Sequence, residues 1–343
     1  MFFSKIHNPG SGFTNQIIAL ISNIITAYNQ KHKVIIVDEF LNDIYKTKKT
    51  PISEIINLQK INIYLKEKYD IILIDRYNID FNIISVKHKK NDNKLKDLTN
   101  HKKIEYLENK KIFFDLDVLN DEKNENKGFI FFQYNINGYF IEEIYDNNIL
   151  IDFEGPYTFI FNWSLLNCDM FGDIMTNIIY NDDFIFKSHT MLKDIDLNKK
   201  INIIHLRLED DGISHWSMMN AIPQNDFKFL LEDKYINIIK NNILHDQETI
   251  ILSSNSKSNR VINFLDDSKY NYKIFDKFFE DREFNAIVDL LVSKCCNNIF
   301  IGNYNLNNNN GSTFSYYISK LLNNDVKKIC IDLDKIYDSE III

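Results

Sequence analysis

Hydrophobic positions along the first part of the chain predict one helix and several buried strands. The helix is indicated by apolar residues that recur at steps of three and four, namely Ile17, Leu20, Ile21, Ile24 and Ile25. Short continuous apolar runs at residues 34–37, 71–74, 112–114 and 129–132 have the length of buried strands. The rest of the segment between residues 85 and 125 is polar and is not assigned.

The second part of the chain alternates apolar runs with helical patterns more regularly. Strands are predicted at residues 201–204, 250–252, 272–275, 299–301 and 328–331. Helices are predicted at residues 226–242, 256–265, 281–293 and 312–322. Such alternation is typical of a parallel, doubly wound α/β sheet. Because 343 residues exceed one ordinary domain, we expect two domains, residues 1–195 and residues 196–343.

Composition and net charge indicate a folded protein and argue against a nucleic-acid partner. A hydrophobic fraction of 45% and an aromatic fraction of 13% are ample for packed cores, which argues against global disorder. The net charge of −8 argues against a nucleic-acid partner, which favours a basic surface. The basic stretch at residues 87–111 is interrupted by Asp, Glu and Asn, so it is either a solvated loop or a functional patch.

Cysteine usage and apolar runs indicate a cytoplasmic protein without a membrane span. The four cysteines form no C-x-x-C pair, and reduced, buried thiols are the simplest interpretation. No apolar run reaches the roughly 18 residues that a membrane span needs. The apolar segment 16–28 lacks a basic lead-in and a small-residue cleavage site, so we interpret it as a helix of the mature protein.

A charged motif follows the first predicted strand of the second half. His205 and Arg207 lie where the apolar run gives way to charged residues. In open α/β sheets ligands bind beyond the carboxyl ends of the strands, and a guanidinium has a planar fork that suits a diphosphate. The alternative is a structural arginine paired with Glu209 or Asp210 at the sheet edge.

A second motif joins the strand that ends at Gly302 to a helix that starts near Ser312 and Thr313. Helix amino-termini present unpaired N–H groups and a partial positive charge, which suit a phosphate. The alternative is an ordinary helix N-cap. The Asn-rich insert 303–310 leaves open which glycine would face the phosphates.

Glycines near the amino-terminus form a weaker third signal. Gly10 and Gly12 precede Asn15 and Gln16, but the spacing is not the G-x-G-x-x-G of a dinucleotide site. A plain glycine turn before a helix is the alternative to a ligand-binding loop.

Asp289 lies on the apolar face of a predicted helix, where an unpaired carboxylate is costly. The Asp289 carboxylate therefore either accepts hydrogen bonds from a ligand, such as a guanine or ribose group, or merely caps a neighbour. His205 and His215 have no partner series with metal-ligand spacing, so no metal site is expected.

Taken in order along the chain, these motifs resemble the fucosyltransferase superfamily that includes protein O-fucosyltransferases and the α1,2- and α1,6-fucosyltransferases. That family has a glycine loop with Asn-Gln before a long helix, matched at residues 12–16. It has a His-x-Arg-x-x-Asp motif that ends the first strand of the second domain, matched at residues 205–210. Its Ala-Ile-x-Asp helix and Gly-x-Ser-x-Phe-Ser loop are matched at residues 286–289 and 312–315, whereas residues 40–195 show no match.

The resemblance implies the GT-B architecture, two Rossmann-like domains facing across a cleft, and inverting transfer of fucose from GDP-fucose without a metal or other cofactor. The catalytic residues implied are His205, Arg207 and Asp210. The donor-binding residues implied are Gly12, Asn15, Arg207, Asp289, Ser312, Thr313 and Phe314. Arg207 would contact the diphosphate, Asp289 would contact the nucleoside, and Asn15 would face the cleft from the acceptor-side first domain.

The partners implied are a nucleotide-sugar donor and a glycan or protein acceptor. Candidates for the group that accepts the acceptor's proton are Asp38, Glu39, Glu154 and Asp211, and the sequence does not choose among them. Trp216 either stacks on an acceptor sugar or packs in the core. Two other functions stay open, a GT-B transferase with another nucleotide sugar and a non-catalytic glycan- or nucleotide-binding protein of the same fold.

Overall fold

A computed structural model of the chain describes residues 2–4, 6, 12–29, 31–42, 48–75, 82–85, 149–152, 168–253, 259–304, 311–333, 336 and 341–342. The predicted strands at residues 112–114 and 129–132, the basic stretch 87–111, Gly10 and Glu154 lie outside these residues. The described part is an α/β structure with parallel sheets, which confirms the predicted fold class. The chain divides into two compact units, Met1–Asn181 and Asp182–Ile343.

The first unit contains a three-stranded parallel sheet. Its strands are β1 (Phe2–Ser4), β2 (Val34–Val37) and β5 (Ile72–Asp75), in the order β1-β2-β5. Two short pairs accompany it, antiparallel β3 (Phe40–Leu41) with β4 (Lys49–Thr50) and parallel β6 (Asn82–Ser85) with β7 (Ile149–Asp152). The helices described in this unit are α1 (Phe13–Asn29), α2 (Ile52–Ile55), α3 (Leu58–Tyr69) and α4 (Asp169–Asn177).

Helix α1 confirms the helical pattern predicted from residue 17 onward. Most of its side chains are buried, including Gln16, which is fully inaccessible. The Gln16 side-chain amide donates to the Leu41 carbonyl at 2.9 Å and accepts from the Leu41 N–H at 2.8 Å. Because a buried amide must be satisfied on both its ends, this pairing gives Gln16 a structural role.

The second unit contains a six-stranded sheet. Its strands are β8 (Ile201–His205), β9 (Glu248–Leu252), β10 (Tyr272–Ile274), β11 (Ile299–Gly302), β12 (Lys327–Cys330) and β13 (Ile341–Ile342). Their order is β10-β9-β8-β11-β12-β13, and every neighbouring pair is parallel except β12 with β13. The direction of chain progression reverses between β8 and β11, which is the topological switch point where doubly wound sheets bind ligands.

Six helices of the second unit are described: α5 (Asp182–Leu192), α6 (Asp210–Met219), α7 (Gln224–Asn242), α8 (Arg260–Asp267), α9 (Arg282–Ser293) and α10 (Thr313–Leu321). Helices α7 to α10 confirm the predicted helical stretches, with ends shifted by a few residues. Helix α5 packs on α9, where Phe184 contacts the rings of Phe279 and Phe284. The division at residues 181 and 182 therefore places α5 with the second unit, N-terminal to the boundary predicted at 195/196.

Candidate functional site

The candidate site lies at the carboxyl ends of β8 and β11, on either side of the switch point. His205 is the last residue of β8, and Gly302 is the last residue of β11. The two strands are paired neighbours, since Ile204 of β8 aligns with Ile301 of β11. The residues that follow these strand ends are therefore brought together at one edge of the sheet, where ligands of open α/β folds bind.

The His205 side chain is buried and held by the first turn of α10. Its Nδ1 lies 2.6 Å from the Ser315 hydroxyl oxygen, and the edge of its ring meets Phe314 with ring centroids 5.0 Å apart. Burial, together with the nearby positive charges of Arg207 and Lys277, lowers the pKa of His205 to about 3. The imidazole is therefore neutral at physiological pH.

Gly302 makes this approach of α10 to the sheet possible. A Cβ at this position would lie 2.8 Å from the Ser315 hydroxyl oxygen and 2.9 Å from the Ser315 Cβ, which is closer than side-chain carbons come. The glycine at the end of β11 is thus required for packing against α10. Gly302 therefore faces Ser315 of α10.

Arg207 lies two residues beyond the end of β8 and is held by two carboxylates. Its guanidinium forms ion pairs with Glu209 at 2.7 Å and with Asp211 at 3.0 Å, and its side chain is 17% exposed. Burial alone would lower the pKa of Arg207, but the charges of Glu209 and Asp211 raise it above its usual value. Asp210, the residue that the motif singled out, is exposed in the first turn of α6 and is not one of these two partners.

These ion pairs bear on both interpretations of Arg207. The pairing with Glu209 is what the structural interpretation predicted. The pairing also orients a partly exposed guanidinium at the edge of the sheet, which the diphosphate interpretation needs. The two interpretations are therefore separated by function and stability measurements rather than by the contacts.

The amino-terminus of α10 begins with an N-cap. The Ser312 hydroxyl oxygen accepts a hydrogen bond from the Ser315 N–H at 3.3 Å, so Ser312 has the ordinary capping role that the sequence left open. Thr313 and Phe314 follow in the first turn and are half-buried. Gly311 before the cap has φ of 97°, and a Cβ there would lie 2.7 Å from the Asn303 carbonyl oxygen.

Asp289 extends from α9 and pairs with a lysine that the sequence did not single out. The Asp289 carboxylate oxygen Oδ2 lies 2.7 Å from Lys277 Nζ, and the two side chains are 13% and 30% exposed. Burial raises the pKa of the Asp289 carboxyl, and the Lys277 charge opposes that rise. In this structure the Asp289 carboxylate is thus partnered by a half-exposed lysine.

Asn285 fixes the segment that carries Lys277. Its Oδ1 accepts from the N–H groups of Phe278 and Phe279, both at 3.0 Å. Its Nδ2 donates to the carbonyls of Phe279 at 2.7 Å and Asp281 at 3.1 Å. The loop between β10 and α9 is thus held in one conformation next to the site. Sequence spacing gave no signal for this clamp, because asparagine in a helical stretch is ordinary.

The first unit contains the predicted residues Gly12 and Asn15 at the start of α1. The Gly12 carbonyl accepts from the Gln16 N–H at 3.2 Å, which makes Gly12 the N-cap residue. The side-chain oxygen of Asn15 is buried and has no hydrogen-bond partner among the described residues. A buried acceptor without a partner is costly, and a ligand donor would satisfy it.

The structure also locates Trp216, three of the candidate proton acceptors and the four cysteines. Trp216 is 5% exposed and belongs to the core of the second unit, so it packs in the core and does not form a stacking platform. Asp38 is 3% exposed, Glu39 pairs with Lys49 at 3.5 Å, and Asp211 is engaged by Arg207. All four cysteines are free thiols.

The described residues include no candidate membrane span and no candidate metal cluster. None of the helices they form is both long enough and apolar enough to cross a bilayer. Within the same residues, no cluster of three or more His, Cys, Asp or Glu side chains is placed to hold a metal ion.

Comparison with solved structures identifies the fold. The chain is similar to the NodZ α-1,6-fucosyltransferase soaked with GDP-fucose, with a TM-score of 0.56, 11% identity and coverage of 100% of this chain and 98% of that chain. It is similar to the fucosyltransferase NodZ from Bradyrhizobium, with a TM-score of 0.54, 11% identity and 96% coverage of each chain. It is also similar to POFUT1 in complex with GDP-fucose, with a TM-score of 0.53, 10% identity and coverage of 93% and 94%.

These similarities confirm a fucosyltransferase-like fold along nearly the whole chain. No protein-family model matches the sequence, and no curated protein is similar to it in sequence. The resemblance inferred from short motifs is therefore confirmed as a resemblance of fold, at 10–11% sequence identity.

Proposed function

We propose that this chain is an inverting glycosyltransferase that transfers fucose from GDP-fucose to a hydroxyl group of a glycan or protein. One observation carries the proposal. At the switch point of the second unit's sheet, a partly exposed Arg207 and a neutral His205 lie at the end of β8, and His205 contacts the amino-terminal turn of α10. A guanidinium, a neutral imidazole and a helix amino-terminus together suit a diphosphate. The fold shared with fucosyltransferases supports the donor class.

In this proposal the architecture is GT-B, and the second domain binds the donor. Arg207 contacts the diphosphate, and Ser312, Thr313 and Phe314 hold the phosphate and nucleoside side. Asp289 accepts hydrogen bonds from the nucleoside. The nucleoside either replaces Lys277 as the partner of this carboxylate or binds it together with Lys277. Asp210, exposed at the start of α6, adds a negative charge close in sequence to Arg207.

The chemical step is a single displacement. The acceptor oxygen forms a bond to the anomeric carbon while the bond from that carbon to the β-phosphate oxygen breaks, and GDP leaves with the bonding electron pair. Negative charge therefore grows on the β-phosphate, where Arg207 stabilises it. The acceptor's proton passes to a carboxylate or to water.

The first domain forms the acceptor side in this proposal, with Gly12 and Asn15 at the start of α1. The buried, unpartnered oxygen of Asn15 supports this role. Asn15→Ala is expected to lower turnover more than it lowers GDP affinity. Loss of GDP binding with unchanged turnover at saturating donor would overturn this division of labour.

The test of the function is donor hydrolysis and transfer measured with GDP-fucose, with GDP-mannose and UDP-sugars in parallel. The proposal predicts release of GDP from GDP-fucose above the other donors, and an inverted anomeric configuration in any transfer product. Preference for a UDP-sugar would keep a transferase of this fold but reject the fucose donor. Absence of both turnover and nucleotide binding would reject the proposal that the chain is a glycosyltransferase.

The proposal also includes catalysis without a divalent metal, because a guanidinium can counter the charge on the leaving diphosphate. Turnover in excess EDTA is expected to equal turnover with added magnesium or manganese. Complete loss in EDTA that either metal restores would contradict this part of the proposal.

A further inference from the structure

We propose that Ser315 and Asn303 hold His205 in the tautomer that carries its proton on Nε2, so that the imidazole donates a hydrogen bond and cannot take the acceptor's proton. Ser315 and Asn303 are positioning residues in this inference, because they act through His205. The identity of the ligand group that His205 donates to rests on the proposed function. The tautomer of His205 does not depend on it.

The hydroxyl of Ser315 has one proton and two neighbours that can accept it. His205 Nδ1 lies 2.6 Å from the hydroxyl oxygen, and the Asn303 side-chain oxygen lies 3.4 Å away. All three side chains are buried, so none of them exchanges its partner for water freely. The position of the hydroxyl proton therefore decides the tautomer of the ring.

Asn303 settles where that proton lies. Its side chain is fully inaccessible, and its Nδ2 has no hydrogen-bond partner among the described residues. Rotating the amide by about 180° exchanges its two ends, which places Nδ2 against Ser315 instead of Oδ1. That orientation is favoured, since an orphaned buried N–H is rarer than an under-satisfied carbonyl.

The chain of hydrogen bonds then has one direction. Asn303 Nδ2 donates to the Ser315 oxygen, the Ser315 hydroxyl donates to His205 Nδ1, and the neutral ring keeps its proton on Nε2. A nitrogen in that state is a donor only, because its lone pair belongs to the ring π-system. His205 is thereby excluded as the general base, and Gly302 is needed because any Cβ there would displace Ser315.

The test is the ¹⁵N spectrum of protein labelled in histidine, with the His205 signals assigned by their loss in His205→Gln. We expect a pyrrole-type resonance for Nε2 and a pyridine-type resonance for Nδ1 in the wild-type protein. Ser315→Ala is expected to move both resonances as the tautomers begin to exchange. Ser319→Ala is the matched control, because Ser319 lies on the same helix, is 5% exposed and donates to the Tyr316 carbonyl at 2.7 Å.

A wild-type His205 protonated on Nδ1 would overturn the inference, as would a Ser315→Ala spectrum identical to that of the wild type. The wild-type spectrum decides the tautomer even if Ser315→Ala fails to fold. In the donor assay, Ser315→Ala is expected to lower turnover about tenfold at saturating donor, and Ser319→Ala to leave it unchanged. A protein that holds the Nε2–H tautomer but does not turn over GDP-fucose would reject the proposed function and keep this inference.

Discussion

Lys277 Nζ and Asp289 Oδ2 lie 2.7 Å apart, and this pair joins the loop after β10 to the helix that follows it. The carboxylate is the more buried partner, so its charge depends on the lysine more than the reverse. The pair also brings a second cation, besides Arg207, near His205. It links the electrostatics of the candidate site to a segment that Asn285 holds fixed.

Asp289→Asn is expected to weaken nucleoside binding. It is also expected to remove a loss of stability that the wild-type protein undergoes as the pH rises from acidic to neutral. Burial raises the folded-state pKa of Asp289 above its unfolded value, so the folded protein binds more protons between the two values and its stability falls as pH rises through that window. The amide removes this loss. Melting temperatures of both proteins from acidic to neutral pH test the claim, and parallel curves would contradict it.

His205→Gln tests a titration of the opposite sign. The folded-state pKa of His205 is about 3, below its unfolded value near 6.5, so the unfolded chain binds the extra proton in that window and stability is lost as pH falls through it. Each pKa unit corresponds to about 1.4 kcal/mol. The variant, which cannot titrate, is expected to lose less stability than the wild type between neutral pH and pH about 4. Equal losses would show that His205 is not held neutral by burial.

Gly302→Ala is expected to destabilise the second unit by about 1–3 kcal/mol, because the new methyl group overlaps Ser315. Gly172→Ala is the matched control. Nothing lies within 4 Å of a Cβ at Gly172, which is inside α4, so this substitution is expected to stabilise by about 0.5–1 kcal/mol. Denaturant unfolding of both variants gives the comparison. A neutral Gly302→Ala would mean that α10 does not pack on β11 as described.

GDP is expected to raise the melting temperature more than UDP or ADP, because a ligand that binds only the folded state stabilises it. Ser312→Ala by itself costs about 1 kcal/mol through loss of the N-cap, with or without nucleotide. The specific readout is therefore the GDP-induced shift, which Ser312→Ala combined with Thr313→Ala should reduce. Equal shifts from all three nucleotides would reject the guanine assignment and leave the fold unaffected.

The sequence predicted the parts of this structure that local pattern determines. The buried run of β8 and the charged residues after it placed Arg207 correctly, since an apolar run that ends in charges is visible in one segment. Helix α6 was missed because it begins with Asp210, Asp211 and Gly212, which hide the helical period.

Contacts between distant segments could not be predicted from the sequence. His205 and Ser315 are 110 positions apart, and only the strand order β8-β11 brings them together. Lys277 and Asp289 are 12 positions apart, on a loop and a helix whose relative placement depends on the Asn285 clamp. Residue type indicated where chemistry is available, and the fold determined which groups meet.

Arg207 is the residue on which the proposed function depends most. Its role as a stabiliser of the departing diphosphate predicts that removal costs roughly 3–4 kcal/mol of transition-state stabilisation, or on the order of 10²–10³ in rate. Removal also leaves the buried Glu209 carboxylate without its partner, which lowers stability separately. The double variant Arg207→Ala with Glu209→Gln removes that orphaned charge and so separates the two effects.

The most direct measurement is turnover of GDP-fucose per folded molecule, with the melting temperature, for wild type, Arg207→Ala, Arg207→Lys and the double variant. We expect Arg207→Ala to be nearly inactive, Arg207→Lys to recover little because an ammonium lacks the planar fork, and the double variant to recover stability without turnover. A folded Arg207→Ala protein that transfers fucose at the wild-type rate would contradict the account, and would leave Arg207 as a structural partner of Glu209 and Asp211.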